Sequence, residues 1–260
     1  MIELEGFSVR YRSPGRDVFA LSEVTLSLAA GRVTGLVGES GSGKTTLVMA
    51  ILGLLPPEAE TLGAIRVEGA DVTRMPERDL DRIRWTRVAL VPQGSQNAFN
   101  PVLAVGSQVA EPARIHLGLS RGEADRKAES LLDEVGLGRK AARRYPHELS
   151  GGQRQRAALA MALACDPAFL LADEPTTALD VIIQAEIAEL LRRTVRERKM
   201  GMALVTHDLP LAAGLCETIC VLDGGRLVET LPSENLASGA KNARTRALVK
   251  ALLEMEEARP

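Results

Sequence analysis

Eight consecutive residues, Gly38-Glu39-Ser40-Gly41-Ser42-Gly43-Lys44-Thr45, fit the pattern G-x-x-x-x-G-K-T. That spacing predicts a cradle for the phosphates of a nucleoside triphosphate. Glycines allow a tight turn whose backbone N–H groups converge on phosphate oxygens. The helix that must follow adds the positive end of its dipole. Lys44 would reach the β- and γ-phosphates, the Thr45 hydroxyl would ligate Mg²⁺, and Thr46 is expected among the nucleotide-binding residues. The flanks agree with this. Val33 to Val37 is a short apolar run of the kind that forms a buried parallel strand, and Lys44 to Leu54 reads as a helix.

A second apolar run, Phe169-Leu170-Leu171-Ala172, ends in Asp173-Glu174. Asp173 at the tip of such a strand would hold Mg²⁺ through water, and Glu174 would polarise the water that attacks the γ-phosphate. Two acids at a strand end are a weak signal alone. A phosphate cradle earlier in the chain makes them a strong one.

Other elements must position these groups. Ile2, Leu4 and Phe7 to Tyr11 alternate as a strand, a loop follows at Ser13-Pro14-Gly15, and Val24 to Leu28 alternates again. Ile65 to Glu68, Gly69 and Val72 suggest an antiparallel hairpin, and Val88 to Val91 a buried strand. From about 94 to 164 no long buried strand occurs, and Arg121 to Val135 has helical periodicity. Strands are expected again at Ala203 to Val205 and Ile219 to Leu222, with a helix from Ile182 to Arg196, a hairpin turn at Asp223-Gly224-Gly225 and a last helix from Arg244 to Glu257.

The chain has 260 residues, 45% of them hydrophobic, enough for a sizeable core. A net charge of -2 and 3% aromatic residues argue against a general nucleic-acid binder. Cys165, Cys216 and Cys220 show no CxxC spacing, so reduced thiols are expected rather than a disulfide framework, a zinc site or an iron–sulfur cluster. The run Leu47 to Leu55 is too short to span a membrane, and the acidic, alternating N-terminus does not read as a signal peptide. The basic run from Arg139 to Arg144 reads as a solvated helix end rather than a lipid patch.

Leu149-Ser150-Gly151-Gly152-Gln153 narrows the reading, because this pentapeptide looks like the signature of ATP-binding cassettes. The chain resembles the ATP-binding subunits of ABC transporters over nearly its whole length. The resemblance implies an α/β, P-loop NTPase (RecA-like) core with an N-terminal antiparallel β subdomain and an inserted helical subdomain. It implies one cassette domain over 1–260, with the core at about 1–93 and 165–240, the helical insertion at 94–164 and a terminal helix at 241–260. Gln93 matches the glutamine that ligates Mg²⁺ or water and senses the membrane subunit. Asp180 matches the loop of Ala178-Leu179-Asp180, His207 the switch histidine at the γ-phosphate, and Tyr11 the aromatic ring on adenine. Ser150 reads as an N-cap, and in this family Ser150, Gly151, Gly152 and Gln153 would face ATP held by the opposite subunit.

The stretches Tyr145 to Arg156, Asn97 to Pro101 and Ala172 to Asp180 look like the dipeptide, oligopeptide and nickel importer group. Many peptide importers carry a C-terminal extension with clustered cysteines, and the sequence to Pro260 has none, which leaves peptide and nickel or metal-chelate cargo both open. The resemblance further implies ATP and Mg²⁺ as ligands and a second cassette, expected to be a paralogue, packed head to tail. It also implies two membrane permease subunits, an extracytoplasmic solute-binding protein and a place at the cytoplasmic face of the membrane. A soluble cassette ATPase not coupled to transport is the alternative, although such proteins usually carry two cassettes or a long coiled-coil insertion. A non-hydrolysing regulatory module is a third reading, disfavoured by Glu174 and His207.

Overall fold

The alternation that begins at Ile2 builds a long strand, β1 (Ile2–Ser13), followed by β2 (Arg16–Leu28), β3 (Val33–Val37), helix α1 (Lys44–Ile51), β4 (Ala59–Val67) and β5 (Ala70–Asp71). The computed structural model describes residues 1–13, 16–94 and 98–257. Pro14 and Gly15 of the expected loop, Asn97 and Pro260 lie outside the described residues. β1 pairs antiparallel with β2 and β4, and the sheet order is β2-β1-β4-β5. Its register sets Ile2 opposite Leu28 and Val67, and Leu4 opposite Leu26 and Ile65. All six are buried. Each contributes about 1.5–3 kcal/mol relative to exposure, so a one-residue slip of β1 is strongly disfavoured.

Two compact units divide the chain: Met1–Met75 with Gly201–Pro260, and Pro76–Met200. The second unit holds α2 (Glu77–Ile83), β6 (Val88–Val91), α3 (Val105–His116), α4 (Arg121–Glu134), α5 (Gly151–Ala162), β7 (Phe169–Asp173) and α6 (Val181–Arg198). β6 and β7 pair in parallel, Val88 with Phe169 through Val91 with Ala172. Helix α4 opens with a capping box between Ser120 and Glu123 and has no basic residue in its last turn. Arginines from the neighbouring helices serve that end instead. Arg193 donates to the Glu134 carbonyl at 2.9 Å, Arg156 to the Val135 carbonyl at 3.0 Å, and Arg198 grips the Glu134 carboxylate at 3.0 and 2.7 Å. Cations at a helix C-terminus complement its dipole, and the bidentate pair adds direction.

The first unit resumes with β8 (Gly201–Thr206), α7 (Leu209–Leu215), β9 (Thr218–Asp223), β10 (Arg226–Pro232), α8 (Leu236–Gly239) and α9 (Ala243–Glu257). β3 lies between β8 and β9, parallel to both, and β10 returns antiparallel to β9. Every residue of β3 and β8 is buried, as continuous apolar runs in parallel sheets require. The three cysteines are buried, and desolvation pushes the Cys216 thiol to about 12 and those of Cys165 and Cys220 to about 11.

Some elements differ from expectation. α1 stops at Ile51 rather than Leu54, with the Leu54 N–H turning back to the Met49 carbonyl ahead of Pro56-Pro57. β2 starts at Arg16, well before Val24, because Asp17, Val18 and Phe19 pair with Arg12, Tyr11 and Arg10 of β1. α2 and α7 each have seven residues, too few for a periodicity to declare itself. Among the described residues no helix is long and apolar enough to cross a membrane.

Candidate functional site

The Gly-rich turn joins buried β3 to α1, the context its pattern demands. Gly38 is buried, and a Cβ there would sit 2.2 Å from the Leu222 carbonyl oxygen. Gly43 has φ of 101°, and a Cβ would come within 2.5 Å of the Ala20 carbonyl oxygen. Only glycine fits either place without moving backbone. The Lys44 side chain is buried and folds back along the turn. Its Nζ donates to the Gly38 carbonyl at 2.7 Å, the Glu39 carbonyl at 2.8 Å and Ser42 Oγ at 3.2 Å. A buried ammonium held by loop acceptors fixes positive charge at the centre of the turn, where a phosphate would meet it. Thr45 is exposed and Thr46 half-buried at the start of α1. Glu39, Ser40 and Gly41 form the exposed crest of the turn.

Support from behind the cradle was not legible. Gly225, in the β9–β10 turn, donates its N–H to the Ser42 carbonyl at 3.1 Å and accepts from the Ser22 N–H at 2.8 Å. The sequence marked Asp223-Gly224-Gly225 as a hairpin turn, but nothing in its spacing says what it leans on. Elsewhere in the same unit, Tyr11 is half-buried on β1, opposite Val18 and Ala59. His207 is exposed just beyond β8, where Asp208 caps α7 by accepting the Leu211 N–H at 2.9 Å.

In the second unit, β7 ends at Asp173, which is 2% exposed. Glu174 follows with φ of 48°, a left-handed backbone uncommon outside glycine. Gln93 Nε2 donates to Glu174 Oε2 at 3.0 Å, and the Thr177 hydroxyl donates to the same oxygen at 2.9 Å. The structure thus joins two of the expected site residues, Gln93 and Glu174, and adds Thr177, which the sequence did not single out as a site residue. Donation through Nε2 leaves Gln93 Oε1 outside this hydrogen bond. Asp180 caps α6, accepting the Ile183 N–H at 3.0 Å.

Ser150 caps α5 through a complete capping box. Its Oγ accepts the Gln153 N–H at 3.3 Å, and Gln153 Oε1 accepts the Ser150 N–H at 3.1 Å. Gly151 opens the helix, and Gly152 is buried against α6: a Cβ there would meet Ile183 Cγ2 at 2.6 Å. One turn further on, Arg156 pairs with Glu186 at 2.7 Å.

The oxygen donors expected for Mg²⁺ are a hydroxyl (Thr45), an amide oxygen (Gln93) and a carboxylate (Asp173). Hard oxygen ligands of this kind suit Mg²⁺, which commonly takes only one or two carboxylates and completes its shell with water and phosphate. Among the described residues no group of three or more His, Cys, Asp or Glu could hold a metal ion. Donors of these kinds suit a cation that arrives with a phosphate ligand better than one in an all-protein cage.

The model of a family described as ABC transporter matches residues 21–177. A Brucella abortus (strain 2308) protein named for peptide import and ATP binding is 39% identical over 267 residues, 99% of this chain and 79% of the relative. The oligopeptide transport ATP-binding protein OppD of Salmonella typhimurium is 39% identical over 231 residues, 88% of this chain and 69% of the relative. Among solved structures, the ATP-binding cassette MJ0796, described as a dimer in a post-hydrolysis state bound to ADP and Pi, is similar with a TM-score of 0.80. It is 30% identical, covering 90% of this chain and 99% of that one.

Proposed function

We propose that this chain, which belongs to the ABC transporter family, is the ATP-binding and ATP-hydrolysing subunit of a peptide importer. The observation that carries the ATP reading is the cradle: a buried Lys44 ammonium held inside a strand-to-helix turn in which Gly38 and Gly43 admit no side chain. Peptide cargo is supported by the names of relatives such as OppD.

Residues 1–260 act as one cassette, built of a core, an antiparallel β part and a helical insertion. Tyr11 stacks on the adenine. Residues 38 to 46 wrap the phosphates, with Lys44 at the β- and γ-phosphates. Thr45 and Gln93 would hold Mg²⁺, with Asp173 reaching it through water, and the bound ion would neutralise phosphate charge. Glu174 accepts a proton from the attacking water, and His207 contacts the γ-phosphate. One cradle and one signature occur per chain, so Ser150, Gly151, Gly152 and Gln153, with Asp180, act on ATP held by a second cassette packed head to tail. The dimeric state of MJ0796 supports that pairing, and we take the partner to be a paralogue. Two membrane permeases carry the cargo, a solute-binding protein delivers it, and this chain sits peripherally at the cytoplasmic face.

Coexpression with its permeases and reconstitution into proteoliposomes tests the reading. ATP-dependent uptake of labelled oligopeptide, lost with Glu174→Gln, is the expected result. Uptake of nickel in place of peptide would overturn the cargo. ATP hydrolysis that never associates with a membrane subunit would favour the uncoupled ATPase.

A further inference from the structure

A residue without a role in the proposed reaction makes two hydrogen bonds to Glu174. Thr177 lies three residues on and binds Glu174 twice. Its N–H donates to the Glu174 carbonyl at 3.2 Å, closing a turn, and its hydroxyl donates to Glu174 Oε2 at 2.9 Å. Gln93 reaches the same oxygen from after β6 at 3.0 Å. Glu174 needs such ties. A φ of 48° is unfavourable for a residue with a Cβ, and such conformations persist only where the surroundings over-determine them. Two donors on one carboxylate oxygen also fix the rotamer, which aims the lone pairs rather than merely holding charge. The turn that carries Thr177 is itself anchored: the Leu179 N–H donates to the Thr176 carbonyl at 3.3 Å, and Gln184 Nε2 of α6 donates to that carbonyl at 3.2 Å.

We propose that Thr177 is a positioning residue for hydrolysis: its hydroxyl, with the Gln93 amide, sets the orientation in which Glu174 receives the proton of the attacking water. This rests on the reading of Glu174 as the group that polarises water. Thr177 touches neither ATP nor water in this account and acts only through Glu174. The contribution is therefore confined to turnover and absent from nucleotide affinity.

Steady-state ATPase and nucleotide-binding measurements on the assembled transporter test it. Thr177→Val keeps the branched shape and removes the donor. Turnover should fall about tenfold or more, the loss expected for a hydrogen bond to a charged group, with KM for ATP within about twofold of wild type. Thr177→Ser restores the hydroxyl and should restore turnover. Thr177→Ala repeats the test should the valine variant fold poorly. In a Glu174→Gln background, Thr177→Val should cost nothing further. Wild-type turnover in both the valine and alanine variants, failure of serine to rescue, or an added loss in the Glu174→Gln background would each overturn the proposal. Wild-type turnover in Glu174→Gln alone would instead remove the role of Glu174, a separate and distinguishable failure.

Discussion

The helix that begins at Lys44 follows a serine- and glycine-rich turn, the helix that begins at Gly151 follows a single serine, and the two ends are finished in opposite ways. At α1 the N-cap is Gly43, which has no side chain to offer, and no side-chain hydrogen bond closes the first turn. Order there comes from backbone: Ser42 N–H to the Glu39 carbonyl, Gly225 N–H to the Ser42 carbonyl, and Lys44 folded onto the loop. At α5 the cap is Ser150, and a reciprocal box with Gln153 satisfies two donors locally. A helix start that lacks a side-chain cap leaves first-turn N–H groups to an external acceptor. A boxed start is stable alone and presents a hydroxyl whose own proton remains to be donated. On the proposed reading, the first end encloses an anion and the second is brought up to one.

The largest effects should separate the two units by kind. Glu174→Gln, in the second unit, should lower ATP turnover about 100- to 10,000-fold while leaving nucleotide affinity in place. Phosphate release and fluorescent-nucleotide titration read the two quantities. Lys44→Ala, in the first unit, should weaken ATP binding by about 10- to 100-fold, since a charge-assisted contact is lost from a buried site. Unchanged affinity in Lys44→Ala would break the cradle side of the contrast. Wild-type turnover in Glu174→Gln would break the other.

The two ends were unequally legible. The cradle could be read because strand, turn and helix are contiguous, so that local spacing carries the geometry from Val33 to Ile51. The Ser150 cap could be read for the same reason. What lay hidden was contact between distant segments: Gly225 behind Ser42, Gln93 on Glu174, and Ile183 under Gly152. A glycine in a helix start looks like a conformational choice from sequence. Gly152 is a steric one, because its helix presses on α6.

Gly152→Ala tests that steric reading with a middling effect. The added methyl would meet Ile183 Cγ2 at 2.6 Å, and overpacking of this kind costs about 1–3 kcal/mol. Thermal unfolding of the isolated chain should show a lowered midpoint. The double change Gly152→Ala with Ile183→Ala should recover part of it, because the clashing atom is gone. Equal midpoints for the wild type and Gly152→Ala would mean that α5 and α6 are not pressed together at this point.

Ser150→Ala should give the smallest effect and bears most directly on the difference between the two helix starts. Loss of an N-cap hydroxyl costs about 1 kcal/mol, roughly 2–4 °C in the unfolding midpoint of a chain this size. Gln153 cannot compensate, because its Oε1 already accepts the Ser150 N–H and the Gln153 N–H would be left to water. ATP affinity of the isolated chain should stay at the wild-type value if that end serves the partner's nucleotide, as proposed. Turnover of the assembled pair should fall, because the hydroxyl proton offered to that nucleotide is gone. An unchanged midpoint would show that the box is not what holds the start of α5. A fall in the isolated chain's own ATP affinity to match Lys44→Ala would show that the boxed end and the cradle serve the same nucleotide, and the contrast between them would collapse.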